Sequence, residues 1–301
     1  MTTNDALTPE PPSLAFDTAT FGAALRTIAS NREPLMRYVA AVRAIPLGEQ
    51  PIVVRGEVVS RYDVLSKKPE LKSALWNALH RANDLAGHMD TLHNWAAGGA
   101  NGAVEQITPL LDSIYKILAA VPASGSINPA DLPRIRQEMQ LVSVYVWMVR
   151  TPMQQIGAGI KTFLSNIFVD HDTFAAGPLE LRKMKDEVGR QISDEAMPLV
   201  LKLETNGIGL AMLEVGRAFL ATIDGLIQVL GNALVGHEAM QGAASAVGAA
   251  ANTAWSKYEA AASAVWAADA AQMSITLRKL ELTVAIESWK QFAAFFSKSN
   301  L

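Results

Sequence analysis

The chain of 301 residues contains no cysteine. That excludes disulfides, thiolate catalysis, iron–sulfur clusters and Cys-ligated zinc together. It does not assign a compartment, because a chain without thiols tolerates either redox environment. Charge is also scarce, with 18% of residues Asp, Glu, Lys or Arg against about 25% in an average globular domain. The formal net charge is −3, and no Arg/Lys stripe with interleaved aromatics occurs, so nucleic acid is not an expected partner. β-like runs are nearly missing. The one candidate, Pro51-Ile52-Val53-Val54, is too short to predict a sheet.

Catalytic and metal-binding patterns are missing as well. No GxSxG, P-loop or dinucleotide fingerprint follows a strand. His88 and His93 lack the three- or four-residue spacing that places two ligands on one helix face. His171 between Asp170 and Asp172 reads as a solvated turn, and His237-Glu238 opens no HExxH motif. Asp186-Glu187 and Asp194-Glu195 have basic neighbours and read as a solvated helix face. These observations predict a protein that is not an enzyme and needs neither cofactor nor metal.

What the chain has in abundance is apolar helix formers. Half of it is hydrophobic, alanine is very common and the mean hydropathy is +0.16, which favours helix. Residues 1–13, polar and Pro-rich, read as a disordered tail. They show no basic region followed by an apolar one, so export is expected without a recognisable signal peptide. Helices are expected over 16–31, 34–45, 69–97 and 104–121, with Gly98 to Gly102 as a turn. The segment 122–133 reads as a linker.

Beyond it come a long apolar helix to Phe168, kinked at Pro152, and a loop over 170–178. A charged amphipathic helix follows over 179–204, bent at Pro198. A closing helical stretch runs to about Lys298, carrying a coiled-coil-like seam (Met273, Leu277, Leu280, Val284). The fold class predicted is all-α, an elongated bundle of long helices with an apolar helical head segment. Its parts would be the 1–13 tail, N-terminal helices over 14–122 packing on the bundle, and a long-helix rod over 133–301 whose head spans about 207–251.

The segment Gly207–Val235 carries only three charges, Glu214, Arg217 and Asp224. With 100° per residue, these three together with Gln228 and Asn232 fall in one arc of about 80°. The apolar girth consists of Met212, Leu213, Val215, Phe219, Leu220, Ile223, Leu226, Ile227, Leu230 and Leu234. A surface helix of a soluble protein usually has the opposite proportions. At 1.5 Å per residue the segment reaches about 44 Å, more than the roughly 30 Å of a bilayer's hydrocarbon core. Two uses fit: the central helix of a soluble bundle, or a helix that faces lipid with its girth and water with its stripe. The Ala/Gly tract that follows places Gly242, Ala246 and Ala250 four apart, a row suited to close helix packing.

This order of parts resembles the α-helical pore-forming toxins of the cytolysin A type, including the haemolysin BL and non-haemolytic enterotoxin components and the alpha-xenorhabdolysins. The resemblance is one of layout over residues 130–300. It implies a secreted, soluble form that converts to a membrane-bound homo-oligomer, with the apolar face above inserting and the polar stripe facing a pore. The chain is shorter than most such proteins, which implies one component of a multi-component toxin with a second component of similar layout as partner. The competing expectation is a soluble structural or adaptor bundle that keeps the apolar segment buried. Circular dichroism and small-angle scattering test the fold class: a helix-dominated spectrum and an elongated profile are expected, and strand content above about a tenth would refute it.

Overall fold

The structure is a computed structural model that describes residues 13–173, 178–202 and 207–298. Its elements are α1 (Thr18–Arg43), β1 (Gln50–Val54), β2 (Glu57–Tyr62), α2 (Pro69–Asn94), α3 (Ala100–Ala119), α4 (Leu132–Thr173), α5 (Pro178–Lys202), α6 (Ile208–Leu234), α7 (His237–Ala267), α8 (Ala270–Lys279) and α9 (Leu282–Lys298). The fold is all-α apart from the β1–β2 hairpin.

Several boundaries differ from the sequence expectation, each for a local reason. Pro34 lies inside α1, so one helix replaces the two expected. The Gly98–Gly102 turn is absent: the backbone widens into a π-helical turn over Trp95–Gly99 and continues as α3. Asp170, His171 and Asp172 are the last full turn of α4, not a loop. The closing helix is broken twice. Asp269 caps α8, its side chain accepting from the N–H groups of Ala271 and Gln272, and Glu281 adopts a positive φ of 50° before α9. The second break ends the seam: Met273, Leu277 and Leu280 are buried, whereas Val284 is exposed.

The β-like run forms a sheet after all. β1 and β2 pair antiparallel from Gln50↔Tyr62 to Val54↔Glu57, with a bulge beside Ile52. Arg55 and Gly56 join them at φ 57° and 84°, the two positive values of a type I′ hairpin turn.

The chain divides into two compact units. The first contains 1–29, 88–158 and 240–301. Its core includes an aromatic cluster in which Phe16, Phe21, Trp289, Phe292 and Phe296 stack with centroids 5.0–5.8 Å apart. The segment before α1 is fastened there, Leu14 N–H donating to Leu280 O and Phe16 N–H to Ser288 Oγ. The expected linker is pinned too. Ile127 is buried with its N–H on Ala270 O, and Arg278 donates to the carbonyls of Val121 and Pro122. The second unit contains 30–87 and 159–239. Its core gathers Leu35, Val39, Val42, Ile52, Val64 and Leu65, with Tyr38 edge-on to Phe163.

Inside the first unit the fully buried Trp289 indole donates to Tyr258 Oη at 2.7 Å. Burial raises the Tyr258 phenol far above its ordinary pKa, so it stays a neutral acceptor. Tyr258→Phe strands the indole N–H, and a loss of about 1–3 kcal/mol is expected in denaturant unfolding; an unchanged midpoint would refute the assignment.

Candidate functional site

The apolar segment forms α6, and α6 pairs with α5 as an antiparallel hairpin. Lys185 meets Asp224, Gly189 meets Leu220, Ile192 meets Gly216, and Ala196 and Val200 meet Gly209. Gly207, with φ 67°, opens α6. Two glycines set the approach. A Cβ at Gly209 would lie 2.5 Å from Val200 Cγ2 and 2.9 Å from the Val200 backbone nitrogen, and one at Gly216 would lie 2.6 Å from Ile192 Cδ1. The facing side chains therefore sit against α6 backbone, as at other small-residue helix contacts.

The apolar and polar residues of α6 differ in burial. Phe219, Ile223, Leu226, Ile227 and Leu230 are buried, whereas Met212, Leu213, Val215, Leu220 and Leu234 are half-buried. Glu214, Arg217, Gln228 and Asn232 are exposed. Asp224 is half-buried and accepts from Lys185 Nζ at 2.7 Å. Besides α5, strand β1 packs on α6. No single helix among the described residues is long and apolar enough to cross a membrane; α6 passes such a test only jointly with α7, across the break at Val235–Gly236.

The small-residue row falls elsewhere on α7. Gly242 is exposed, with open space where a Cβ would stand, and Ala246 and Ala250 are half-buried. The inward row is Met240, Ala243, Ala244, Val247 and Ala251. The close contact there comes from α4, where a Cβ on Gly157 would lie 2.5 Å from Ala244 O.

The outer side of α5 is fastened by the end of β2 and the segment after it. Glu195 is the centre of that fastening. Its carboxylate accepts from Tyr62 Oη at 3.1 Å and Gln191 Nε2 at 3.1 Å, and pairs with Lys67 Nζ at 2.5 Å. Glu187 pairs with Lys68, and Lys72 with Asp63 at 2.5 Å. Burial alone would raise the Glu195 carboxyl, but the bonds from Lys67, Gln191 and Tyr62 outweigh it and hold it below the ordinary carboxylate range. The Lys68 hydrogen bond likewise lowers Glu187. Burial, then the adjacent Glu195 charge, raises Tyr62. Glu195 thus departs from the solvated face expected of the Asp194-Glu195 pair.

No protein-family model matches the chain, and no curated protein matches it. Several solved structures are similar to it. The soluble AhlB of the tripartite alpha-pore forming toxin AHL from Aeromonas hydrophila aligns at 12% identity, over 92% of this chain and 93% of that one, with a TM-score of 0.43. XaxA from Xenorhabdus nematophila aligns at 11% identity, over 90% and 95%, with a TM-score of 0.40. The soluble SmhB of the tripartite alpha-pore forming toxin Smh from Serratia marcescens aligns at 10% identity, over 94% and 91%, with a TM-score of 0.40.

Sequence reasoning found α6 and read 179–204 as amphipathic, but did not pair the two. The available signal was its own row of Val188, Ile192 and Ala196, at spacing 4, 4, all buried.

The Glu195 and Glu187 carboxyls are lowered in the folded chain, so the stability they add is present above their unfolded pKa of about 4.3 and is lost as pH falls through the folded value. Lys67→Ala should therefore lower stability by up to about 1 kcal/mol at neutral pH. That gap between wild type and variant should close below about pH 4. Thermal unfolding of both proteins across pH checks this; a gap that persists in acid would show that Lys67 acts by packing instead of charge.

Proposed function

We propose that this chain is a component of a pore-forming toxin whose α6 is held against α5 in the soluble form and enters a target bilayer after the two part. The observation that carries the reading is the make-up of α6: an apolar girth that is buried or half-buried, and five polar residues confined to one arc, four of them exposed. In lipid the girth faces acyl chains while Glu214, Arg217, Asp224, Gln228 and Asn232 face water, because charge at membrane depth is costly unless it lines a cavity or meets a partner. One stripe cannot enclose a lumen, so several copies, with a second component of similar helical layout, arrange their stripes around a common axis. Conversion from soluble to membrane-bound form belongs to this reading. The role is mechanical and not enzymatic.

The second reading is a soluble structural or adaptor bundle. The burial of Phe219, Ile223, Leu226 and Leu230 favours it equally, since the same packing would serve a permanent core helix.

Single cysteines at Asp224 and at Leu226 separate the two, because no native cysteine competes for label. With liposomes and candidate partner components, the toxin reading requires a water-soluble thiol reagent to reach position 224 and a lipid-phase quencher to reach a fluorophore at 226. Leu226→Asp should abolish dye release, a mid-membrane carboxylate costing about 2.5–3.5 kcal/mol on insertion scales; helicity must first be shown intact, since Leu226 is also buried in water. Asp224→Asn should retain release and change ion selectivity. If neither label responds to membranes and no dye escapes, the soluble-bundle reading stands.

A further inference from the structure

The charges of α6 do not share one situation. Asp224 is matched by Lys185 on α5. Glu214 and Arg217 are exposed and have no hydrogen bond or ion pair among the described residues. They stand three residues apart, a spacing at which opposite charges on a helix can meet, yet they do not pair with each other. The fold thus leaves one free anion and one free cation on a single turn of an otherwise apolar helix.

Their places around the helix differ. With 100° per residue the polar stripe covers about 80°. Glu214 falls at one edge of it with Asn232, Arg217 falls towards the other edge with Asp224, and Gln228 lies on the midline. Beside the Glu214 edge stand Ala218, which is exposed, and Gly225, where a Cβ would meet open space. Another helix can approach closely on that flank.

Copies related by rotation about a common axis present unlike edges to one another, the first edge of each meeting the second edge of the next. With parallel helices and the stripe turned to the axis, every junction brings a Glu214 towards an Arg217. The two differ in height by about 4.5 Å, within reach of two long side chains on helices about 8–10 Å apart. A two-fold pairing through the Glu214 flank would set that edge against itself and leave Arg217 unanswered. We propose, building on the pore-forming role above, that Glu214 of each copy pairs with Arg217 of the next around the ring. The pair gives each junction its own counter-charge. It also sets sense and register, because an inverted or displaced neighbour loses it and meets unmatched charge.

The test uses the full-length protein, phosphatidylcholine vesicles loaded with dye, and the candidate partner components. Glu214→Arg and Arg217→Glu, each assayed alone, put like charges at every junction and should each slow dye release at least about tenfold, since juxtaposed like charges are strongly unfavourable. An equal mixture of the two should recover most of the wild-type rate, because alternating copies restore an opposite pair at each junction. One variant carries two cations and the other two anions, so that recovery cannot come from a pair within one helix. Circular dichroism and the unfolding midpoint in water should be unchanged, both side chains being exposed there. Single variants that keep the wild-type rate, or a mixture as slow as either variant alone, would overturn the proposal and leave the pore reading standing. Wild type that releases no dye would remove the pore reading, and this pairing with it.

Discussion

The width of the apolar girth of α6 is the constraint that orders the second unit. A helix whose polar residues fill an arc of only about 80° cannot stand on a protein surface in water. It needs cover on most sides, and α5 supplies part of it by turning Val188, Ile192 and Ala196 inward and its charges outward. Gly209 and Gly216 allow those side chains to reach α6 backbone. The outward charges then hold the far side of α5 through Lys67, Lys68 and Tyr62. Magnitudes rank these layers. Each buried Leu, Ile or Phe contributes about 1.5–3 kcal/mol relative to exposure, whereas an ion pair at the surface contributes about 0–1 kcal/mol. Apolar burial dominates, so a change of charge around α5 loosens its outer side without exposing α6. An alternative apolar surrounding is what can compete.

The helical character of the chain was legible because alanine and periodic apolar residues leave few alternatives. The interruptions were less so. Pro152 and Pro198 lie inside helices as expected, but Pro34, weighted as the start of a second helix, lies inside α1, where surrounding packing outweighs one lost backbone bond. Gly98-Gly99 was weighted as a turn, yet a π-helical turn absorbs it. Conversely, Asp269 and Glu281 break a stretch that composition leaves unbroken. The β-hairpin was missed because Arg55 is an unusual occupant of a positive-φ turn position that Asn or Asp more often fills.

At the candidate site, periodicity located the faces and nothing else. It put Glu214, Arg217, Gln228 and Asn232 on one side, and all four are exposed. It could not show that Asp224 is matched by Lys185, thirty-nine residues away, because the match depends on α5 and α6 packing antiparallel. For the same reason Glu195 looked like one more solvated acid, although it joins Tyr62, Lys67 and Gln191. Local pattern carries no information about long-range partners. The Gly242, Ala246, Ala250 row shows the complementary failure. Small residues at regular spacing lie on more than one side of so alanine-rich a helix, and the side that packs is the one with Met240 and Val247.

The pairing of Asp224 with Lys185 bears on how α6 could change surroundings under the proposed function. In the hairpin the two charges partly neutralise one another while still touching water, Lys185 being 34% and Asp224 45% exposed. Parting the helices leaves Asp224 in the stripe without its cation. A carboxylate in that state cannot rest against acyl chains. Its nearest helical neighbours on the stripe are Gln228 and Ala221, four residues and three residues away, which offer no compensating charge. Arg217, a further turn back, is the one cation on the same arc. The isolated helix therefore has no favourable depth in a bilayer as a monomer. It acquires one only when neighbouring copies present their own stripes and a shared column of water hydrates the carboxylates. Oligomerisation is thus a condition of insertion in this reading, and it follows from where one aspartate sits on a helix.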